Sequence, residues 1–419
     1  MRSFAFILLI IPLAILLDLY VYKGLRKVLS CSKPHLKSIF FWLFWVFSFG
    51  MIAGILVFVL RYESGKGTED LTRQIMSYNG IFIAQFVIKL VYAVFEAIRD
   101  LSSIIGIVLV RLKVKKTARK APMSESRREF IRKAGIMASV IPFIGIIHGI
   151  GWGRFNFTLH HKRISYPNLP EAFDGLRIVQ LSDAHLGSFN GRVDRIEEVV
   201  DRINELEPDL IFFTGDMVNN FSHEMSGWVP TWKRLKAKIG KFSVLGNHDY
   251  GGYSEWPSPQ AKKKNLQEII RQEKEMGFNL LLNKKSRLEK DGESIVIAGV
   301  ENWGNPPFPQ YGDLDKTLNG VSGDEFTILL SHDPDHWDKK VIPDGRADLT
   351  LSGHTHGAQM GIEIGNFKIS PVQLRYKRWA GLYRENDQYL YVNRGLGYLA
   401  FPGRVGIWPE ITLIDLQKA

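Results

Sequence analysis

Leu176-Arg-Ile-Val-Gln-Leu181, followed at once by Ser182-Asp183-Ala184-His185, decides how this chain is read. A short aliphatic run reads as a buried strand, and two potential metal ligands follow it directly. The same arrangement recurs downstream. Leu210-Ile-Phe-Phe213 precedes Thr214-Gly215-Asp216, and Phe242 to Leu245 precedes Gly246-Asn247-His248-Asp249. Phe326 to Leu330 precedes Ser331-His332-Asp333, and Leu349 to Leu351 precedes Ser352-Gly353-His354-Thr355-His356-Gly357. Ile295 to Val300 and Tyr389 to Val392 are further strands of the same style. After the first strand, Val193, Ile196, Val199, Val200, Ile203 and Leu206 recur at helical spacing, and Pro208 ends that helix. Strands with continuous apolar runs that alternate with helices predict an α/β fold, its sheets buried between helices. Ser254 to Asn265 and Asn302 to Tyr311 read as surface insertions.

In open α/β sheets, ligands bind beyond the carboxyl ends of the strands, so these five loops can converge on one site. Of the eleven histidines, His185, His248, His332, His354 and His356 fall in them. Aspartate, asparagine and imidazole together suit Mn, Fe or Zn rather than Ca or an all-thiolate zinc site. A lone Asp-x-His or Gly-Asp is usually a turn or a cap. Five such pieces in one order, each ending an apolar strand, are a pattern.

That pattern resembles the calcineurin-like metallophosphoesterases: Asp-x-His, Gly-Asp, Gly-Asn-His-Asp, a later His, and Gly-His-x-His, over residues 174 to 415. Gly353-His-Thr-His-Gly-Ala-Gln359, Asn393-Arg-Gly-Leu-Gly397 and Trp408-Pro-Glu-Ile-Thr412 are similar to the membrane-associated bacterial branch. That branch usually has Gly where this chain has Ala358; the residue stays small, so no loss of metal is expected. Asp216 is followed by Met-Val-Asn-Asn-Phe, unlike the protein Ser/Thr phosphatases. The resemblance implies a four-layer α/β/β/α sandwich holding two divalent metals. It assigns Asp183, His185 and His356 to one metal, Asn247, His332 and His354 to the other, and Asp216 to both. His248 would act on the phosphoryl or leaving-group oxygen, with Asp249 fixing its tautomer. Asp333 is either a partner of His332 or a cap ahead of Pro334. Arg394 and Arg404 are candidate substrate-binding residues. Trp256, Trp303, Phe308, Tyr398 and Phe401 are aromatic residues that either face lipid or cap the core. The expected activity is hydrolysis of a phosphodiester, phosphomonoester or pyrophosphate bond, in a lipid-linked or cell-envelope substrate or in a small periplasmic phosphodiester. The alternative is a non-catalytic membrane sensor or scaffold, against which the complete ligand set argues.

The remaining third of the chain has another composition. The 419 residues carry a net charge of +11, yet residues 1–133 hold 21 Lys and Arg against 8 Asp and Glu, and the rest 33 against 35. The positive excess coincides with the long apolar runs, so membrane topology explains it better than nucleic acid does. Phe4–Tyr22, Ile39–Leu60 and Ile81–Leu112 are long enough to cross a bilayer, and Ala134–Gly151 is a weaker fourth. The expected division is a membrane domain over 1–152 and a catalytic domain over 153–419. The first loop is basic (Lys23, Arg26, Lys27, Lys33, Lys37), the second balanced, and the third carries nine Lys and Arg from Lys113 to Lys133. Basic loops stay in the cytoplasm, which predicts a multi-pass protein of the cell (inner) membrane with its catalytic domain outside. If the fourth segment lies on the surface instead, that domain is cytoplasmic. Ser126-Arg127-Arg128-Glu129-Phe130-Ile131-Arg132-Lys133 resembles a twin-arginine export signal, with an ordinary basic flank as the other reading. Asp18, Lys89 and Glu96, inside apolar runs, read as snorkelling residues or helix–helix contacts rather than an ion pathway. A single cysteine, Cys31, excludes an intramolecular disulfide and a thiolate zinc cluster.

Overall fold

In the computed structural model, residues 2–63, 69–111, 125–306, 308–365 and 367–419 are described, and they divide into two units, Met1–His148 and Gly149–Ala419. Lys66 of the balanced loop and residues 112–124, with five of the nine basic positions of the third loop, lie outside the described residues.

All four apolar segments are helical: α1 (Arg2–Val28), α2 (Pro34–Glu63), α3 (Glu69–Arg111) and α4 (Glu125–Gly151). Three stretches among the described residues are long and apolar enough to cross a membrane: Pro34–Arg61, Arg73–Val108 and Ser126–Gly151. At 43 residues α3 is about 64 Å long, twice the hydrocarbon thickness, because its polar turns continue the helix beyond the apolar run. The charges within the apolar runs pair between helices. Lys89 Nζ lies 2.5 Å from Asp18 and donates to Ser48 Oγ at 2.9 Å, linking α3 to α1 and α2. Glu96 meets Arg99 on its own helix and Arg132 of α4 at 3.3 Å. Asp18, Lys89 and Glu96 are all buried, which excludes snorkelling and makes them helix–helix contacts. The twin-arginine-like octet occupies the first turns of α4.

The second unit begins with β1 (Thr158–Tyr166) and β2 (Arg177–Leu181), then α5 (Val193–Glu205), β3 (Leu210–Phe213), α6 (Val229–Lys233), β4 (Gly240–Ser243), α7 (Pro259–Glu275) and β5 (Asn279–Leu280). There follow β6 (Lys284–Lys290), β7 (Glu293–Gly299), β8 (Thr327–Leu330), β9 (Leu349–Ser352), β10 (Ile362–Ile364), β11 (Phe367–Ile369), β12 (Gly381–Glu385), β13 (Gln388–Val392) and β14 (Glu410–Lys418). Two six-stranded sheets form, in the orders β1-β14-β2-β3-β4-β5 and β12-β13-β9-β8-β7-β6. Strands β2 through β5 run parallel in one sheet and β7, β8, β9 and β13 in the other, while β14 is antiparallel to β2.

Side-chain alternation along these strands builds the layers. Ile178, Leu210 and Phe212 point to the core between the sheets, where they meet Ile297, Ile328, Leu349 and Tyr391. Val179, Leu181, Ile211 and Phe213 point the other way and pack under α5 and α7 through Ile196, Val200, Ile203 and Ile269. Val296, Ala298, Leu329 and Val392 cover the far face of the second sheet with Trp337 and Val341. The result is the expected α/β/β/α sandwich. One expectation fails: Ser254 to Asn265 is not wholly an insertion, since α7 starts at Pro259 and Asn265 is buried. Its side chain accepts from Ser222 N and donates to Asn220 O, so this lysine-flanked residue holds a neighbouring loop.

Candidate metal centre

The loops after β2, β3, β4, β8 and β9 meet at one place, because parallel strands present their carboxyl ends on the same edge. Two groups of metal-competent side chains lie there. Asp183, His185 and His356 form one, and Asp216, His332 and His354 the other, with the ligand atoms of each within 4.8 Å of one another. Asp216 Oδ2 stands between them, 3.2 Å from His332 Nε2 and 3.7 Å from His185 Nε2. Asn247 Oδ1 lies 3.1 Å from His332 Nε2, which adds it to the second group.

The backbone is strained at this edge. Asp183, His185, Asp216, His354 and His356 all have φ between 45° and 71°, a region costly for residues with a Cβ. Such outliers cluster where function fixes the geometry. Gly215, φ +98°, makes the crossing of β3 into this edge possible; a Cβ there would sit 2.5 Å from Gly246 N and 2.8 Å from His332 Nδ1.

Most rings spend one nitrogen on the scaffold and aim the other inward. His332 Nδ1 faces Thr214 O at 2.7 Å, and since a carbonyl only accepts, Nδ1 donates and Nε2 is left for the site. His354 Nε2 lies 2.7 Å from Tyr376 Oη and 3.5 Å from Asp333 Oδ2, leaving Nδ1 toward His332. His356 Nδ1 neighbours Arg404 at 3.3 Å, and its Nε2 faces Asp183 at 3.2 Å. Asn247 donates its amide to Tyr253 Oη at 2.8 Å, which turns its oxygen inward.

The electrostatics suit divalent cations. Burial opposes ionisation of Asp183, yet His356 beside it holds the carboxyl well below the usual range. Burial likewise opposes ionisation of Asp216, and His332 and His248 outweigh it. Burial, with His356 adding to it, holds His185 neutral; burial and His332 push His354 down to about 3. Ionised carboxylates and neutral imidazoles are the donors that transition-metal and zinc ions take, and His332, which Asp216 pushes up to about 10, would give up its proton to a bound cation.

Other expectations are corrected. His248 is not oriented by Asp249: its Nδ1 faces Asn219 O at 2.8 Å. Asp249 instead accepts from the backbone N–H of Asp216, Met217, Val218 and Gly246, tying the loops after β3 and β4 together. Burial and the nearby Asp216 push its carboxyl up to about 7. Arg394 and Arg404 do not present free guanidinium groups. Arg394 is 3% exposed and ion-paired with Glu363 and Glu410. Arg404 is fully buried and donates to Arg394 O, Gly395 O and Gly397 O, because a loop turning back on itself exposes carbonyls that only a donor can satisfy. Asp333 caps a turn through Asp335 N and faces the ring of His354 rather than His332. Tyr398 and Phe401 are buried core, and Trp303 lies tilted against the ring of His336, whereas Phe308 stands edge-on to His354 at 4.8 Å. Asn219, Tyr253 and Tyr376 lie in no motif of the sequence, yet each sets a ligand or His248 in place.

Comparison with known proteins matches residues 1–154 to the family model of a probable calcineurin-like phosphoesterase transmembrane domain. Residues 176–358 match that of the calcineurin-like phosphoesterases. The chain is 34% identical over 305 residues to the uncharacterized metallophosphoesterase YkuE of Bacillus subtilis, covering 70% of this chain and 98% of that protein. It is 30% identical over 295 residues to a transmembrane protein with metallophosphoesterase domain from Danio rerio, covering 68% of this chain and 63% of that one, just under two thirds. It is 29% identical over 289 residues to the UDP-2,3-diacylglucosamine pyrophosphatase LpxG of Chlamydia trachomatis, covering 55% of this chain and 81% of that enzyme.

Proposed function

This chain belongs to the membrane-associated calcineurin-like metallophosphoesterases, and on that premise we propose that it is a membrane-anchored, two-metal phosphoesterase acting on a phosphodiester or pyrophosphate bond. The observation that carries the reading is Asp216, one carboxylate set between two ligand groups. Two cations close together need a shared anion to reduce their repulsion. Asp183, His185 and His356 would hold one and Asn247, His332 and His354 the other.

Bound cations of this kind supply Lewis-acid stabilisation of the phosphoryl group and a water acidic enough to attack near neutral pH. The chain's own residues do the rest. Asp216 Oδ1 accepts from His248 N at 2.8 Å, which fixes the imidazole beside the ligand groups. With Nδ1 spent on Asn219 O, His248 offers Nε2 to the phosphoryl or leaving-group oxygen. Asp249 keeps the loops in register rather than moving a proton. A lipid-linked envelope substrate fits the membrane anchor, and the likeness to a pyrophosphatase of a diacylated sugar nucleotide supports it.

The test is the purified full chain, stripped with chelator and reloaded with Mn, Fe or Zn, assayed on phosphodiester, phosphomonoester and pyrophosphate substrates. Metal-dependent turnover of a diester or pyrophosphate is expected. No turnover of any class by chains carrying two metals each would overturn the reading. The catalytic domain, 153–419, is placed outside the cytoplasm on the alternation of loop charge. Alkaline phosphatase fused after Ala419 should then be active and green fluorescent protein dark; the reverse pair would put the domain inside.

A further inference from the structure

The loop after His356 continues into a two-stranded hairpin, β10–β11, paired Ile362↔Ile369, Glu363↔Lys368 and Ile364↔Phe367. Cross-strand partners share a face, so the hairpin has two different sides. One carries Ile362, Ile364, Phe367 and Ile369, which are 52%, 73%, 61% and 43% exposed. The other carries Glu363 and Lys368, both spent on the domain. Glu363 takes the Arg394 guanidinium. Lys368 Nζ donates to Ala380 O and to Tyr383 Oη, and lies over the Trp379 ring. The polar side therefore fastens the hairpin, and four large apolar side chains are held outward. Leu374, 92% exposed, follows a few residues later. A fastened apolar face of this kind marks an interaction surface.

What meets it is indicated by the base of the hairpin. Gly361 N donates to Val405 O at 2.9 Å, and Arg404 N donates to Gly149 O at 3.1 Å. Gly149 to Gly151 is the last turn of α4, the end of the membrane-length stretch Ser126–Gly151. The approach is close: a Cβ on Gly149 would stand 2.5 Å from Arg404 O. Trp152, 69% exposed, follows directly, as aromatic residues do at membrane interfaces.

We propose that the apolar face of the β10–β11 hairpin is seated in the interfacial layer of the bilayer that the chain's own helices cross. Its occupant is phospholipid, the acyl-chain and headgroup boundary, and the hairpin is a second, shallow anchor that holds the loop of His354 and His356 at the membrane surface. This rests on the membrane reading of the helices and not on the chemistry of the metal centre.

The test uses the full chain with Cys31→Ser, reconstituted in phosphatidylethanolamine–phosphatidylglycerol vesicles. Ile364→Cys or Phe367→Cys carries an environment-sensitive fluorophore, and Glu289→Cys, on the exposed strand β6, is the control. Nitroxide groups on the lipid acyl chains should quench the hairpin label several-fold more than the control, and aqueous iodide should quench it less. Leu374→Cys repeats the measurement outside the two strands. A hairpin label that iodide reaches as readily as the control faces water, and the proposal falls. A label shielded from both quenchers is covered by protein, such as a second copy of the chain, and the proposal falls equally.

Discussion

Asp18 and Glu96 in the helical unit, and Asp183 and Asp216 in the second unit, are each no more than 4% exposed, but they are balanced in different ways. Asp18 faces the ammonium of Lys89, and Glu96 faces the guanidinium groups of Arg99 and Arg132. Asp183 and Asp216 face imidazoles, of which His185 and His354 are held neutral by burial. His332 gains a proton from the encounter: burial opposes it, and Asp216 pushes it up to about 10. A buried carboxylate with a fixed protein cation is a structural element. Two buried carboxylates set among imidazoles, with no fixed Lys or Arg among the described residues paired to them, on a strained backbone, mark a place where cations belong.

The sharpest way to break this comparison is Asp216→Ala. If one carboxylate serves both ligand groups, elemental analysis should find both metals lost and turnover should vanish. Two metals still bound in that variant would show that Asp216 is an ordinary buried acid.

The next effect is expected at His248. His248→Ala removes no metal ligand, so metal content should be unchanged while the rate drops roughly 10²–10⁴-fold, the scale of general acid–base catalysis. The loss should shrink for a good leaving group such as p-nitrophenol. Because Asp249 does not touch the ring, Asp249→Asn should not copy this leaving-group dependence. An unchanged rate on poor leaving groups would remove His248 from the chemistry.

In the helical unit the same logic predicts rescue. Lys89→Met leaves Asp18 buried without its cation, which costs about 3–5 kcal/mol when one partner of a buried pair is removed. Adding Asp18→Leu should restore most of that, since a pair replaced by apolar residues is often neutral. Thermal unfolding in nanodiscs reads both. A double variant as unstable as the single one would mean that the pair does more than balance charge.

Much of this was legible in the sequence where burial is complete. Leu210–Phe213 is a strand with the bounds that its apolar run suggests, and every metal-competent loop follows its strand as read. The sequence carries no such signal where polarity alternates with exposure. β1 and the β10–β11 hairpin mix polar and apolar positions at a sheet edge or in isolation, so no continuous run announces them. Nor does it carry one where a partner is remote or is backbone. Nothing near His248 signals Asn219 O, and Tyr376 lies 22 residues from the ring it meets. Arg394 and Arg404 looked available because their acceptors, Glu363, Glu410 and three carbonyls, converge only in the fold.

The smallest effect sharpens the comparison at the metal centre itself. Ala358 has φ +52°, at the position where the related branch usually has glycine. An L-residue in this region carries about 1–2 kcal/mol of strain. Glycine relieves it but gains freedom in the unfolded chain, which takes back about 0.4–1 kcal/mol. Ala358→Gly should therefore stabilise the second unit by about 0.5 kcal/mol, a rise of about 1–2 °C in Tm for a domain of this size. Metal content and rate should not change, because Ala358 holds no ligand and the backbone path stays the same. Strain at Asp183, His185, Asp216, His354 and His356 cannot be relieved in this way without deleting a donor. Ala358 and Gln359 are the two non-glycine left-handed residues that follow His356 most closely, and since the Gln359 side chain donates to Phe401 O and Gly403 O, Ala358 is the one whose strain can be removed on its own. A fall in Tm would mean that its methyl group packs usefully enough to outweigh the backbone, and that the strain along this edge is smaller than the dihedral angles imply.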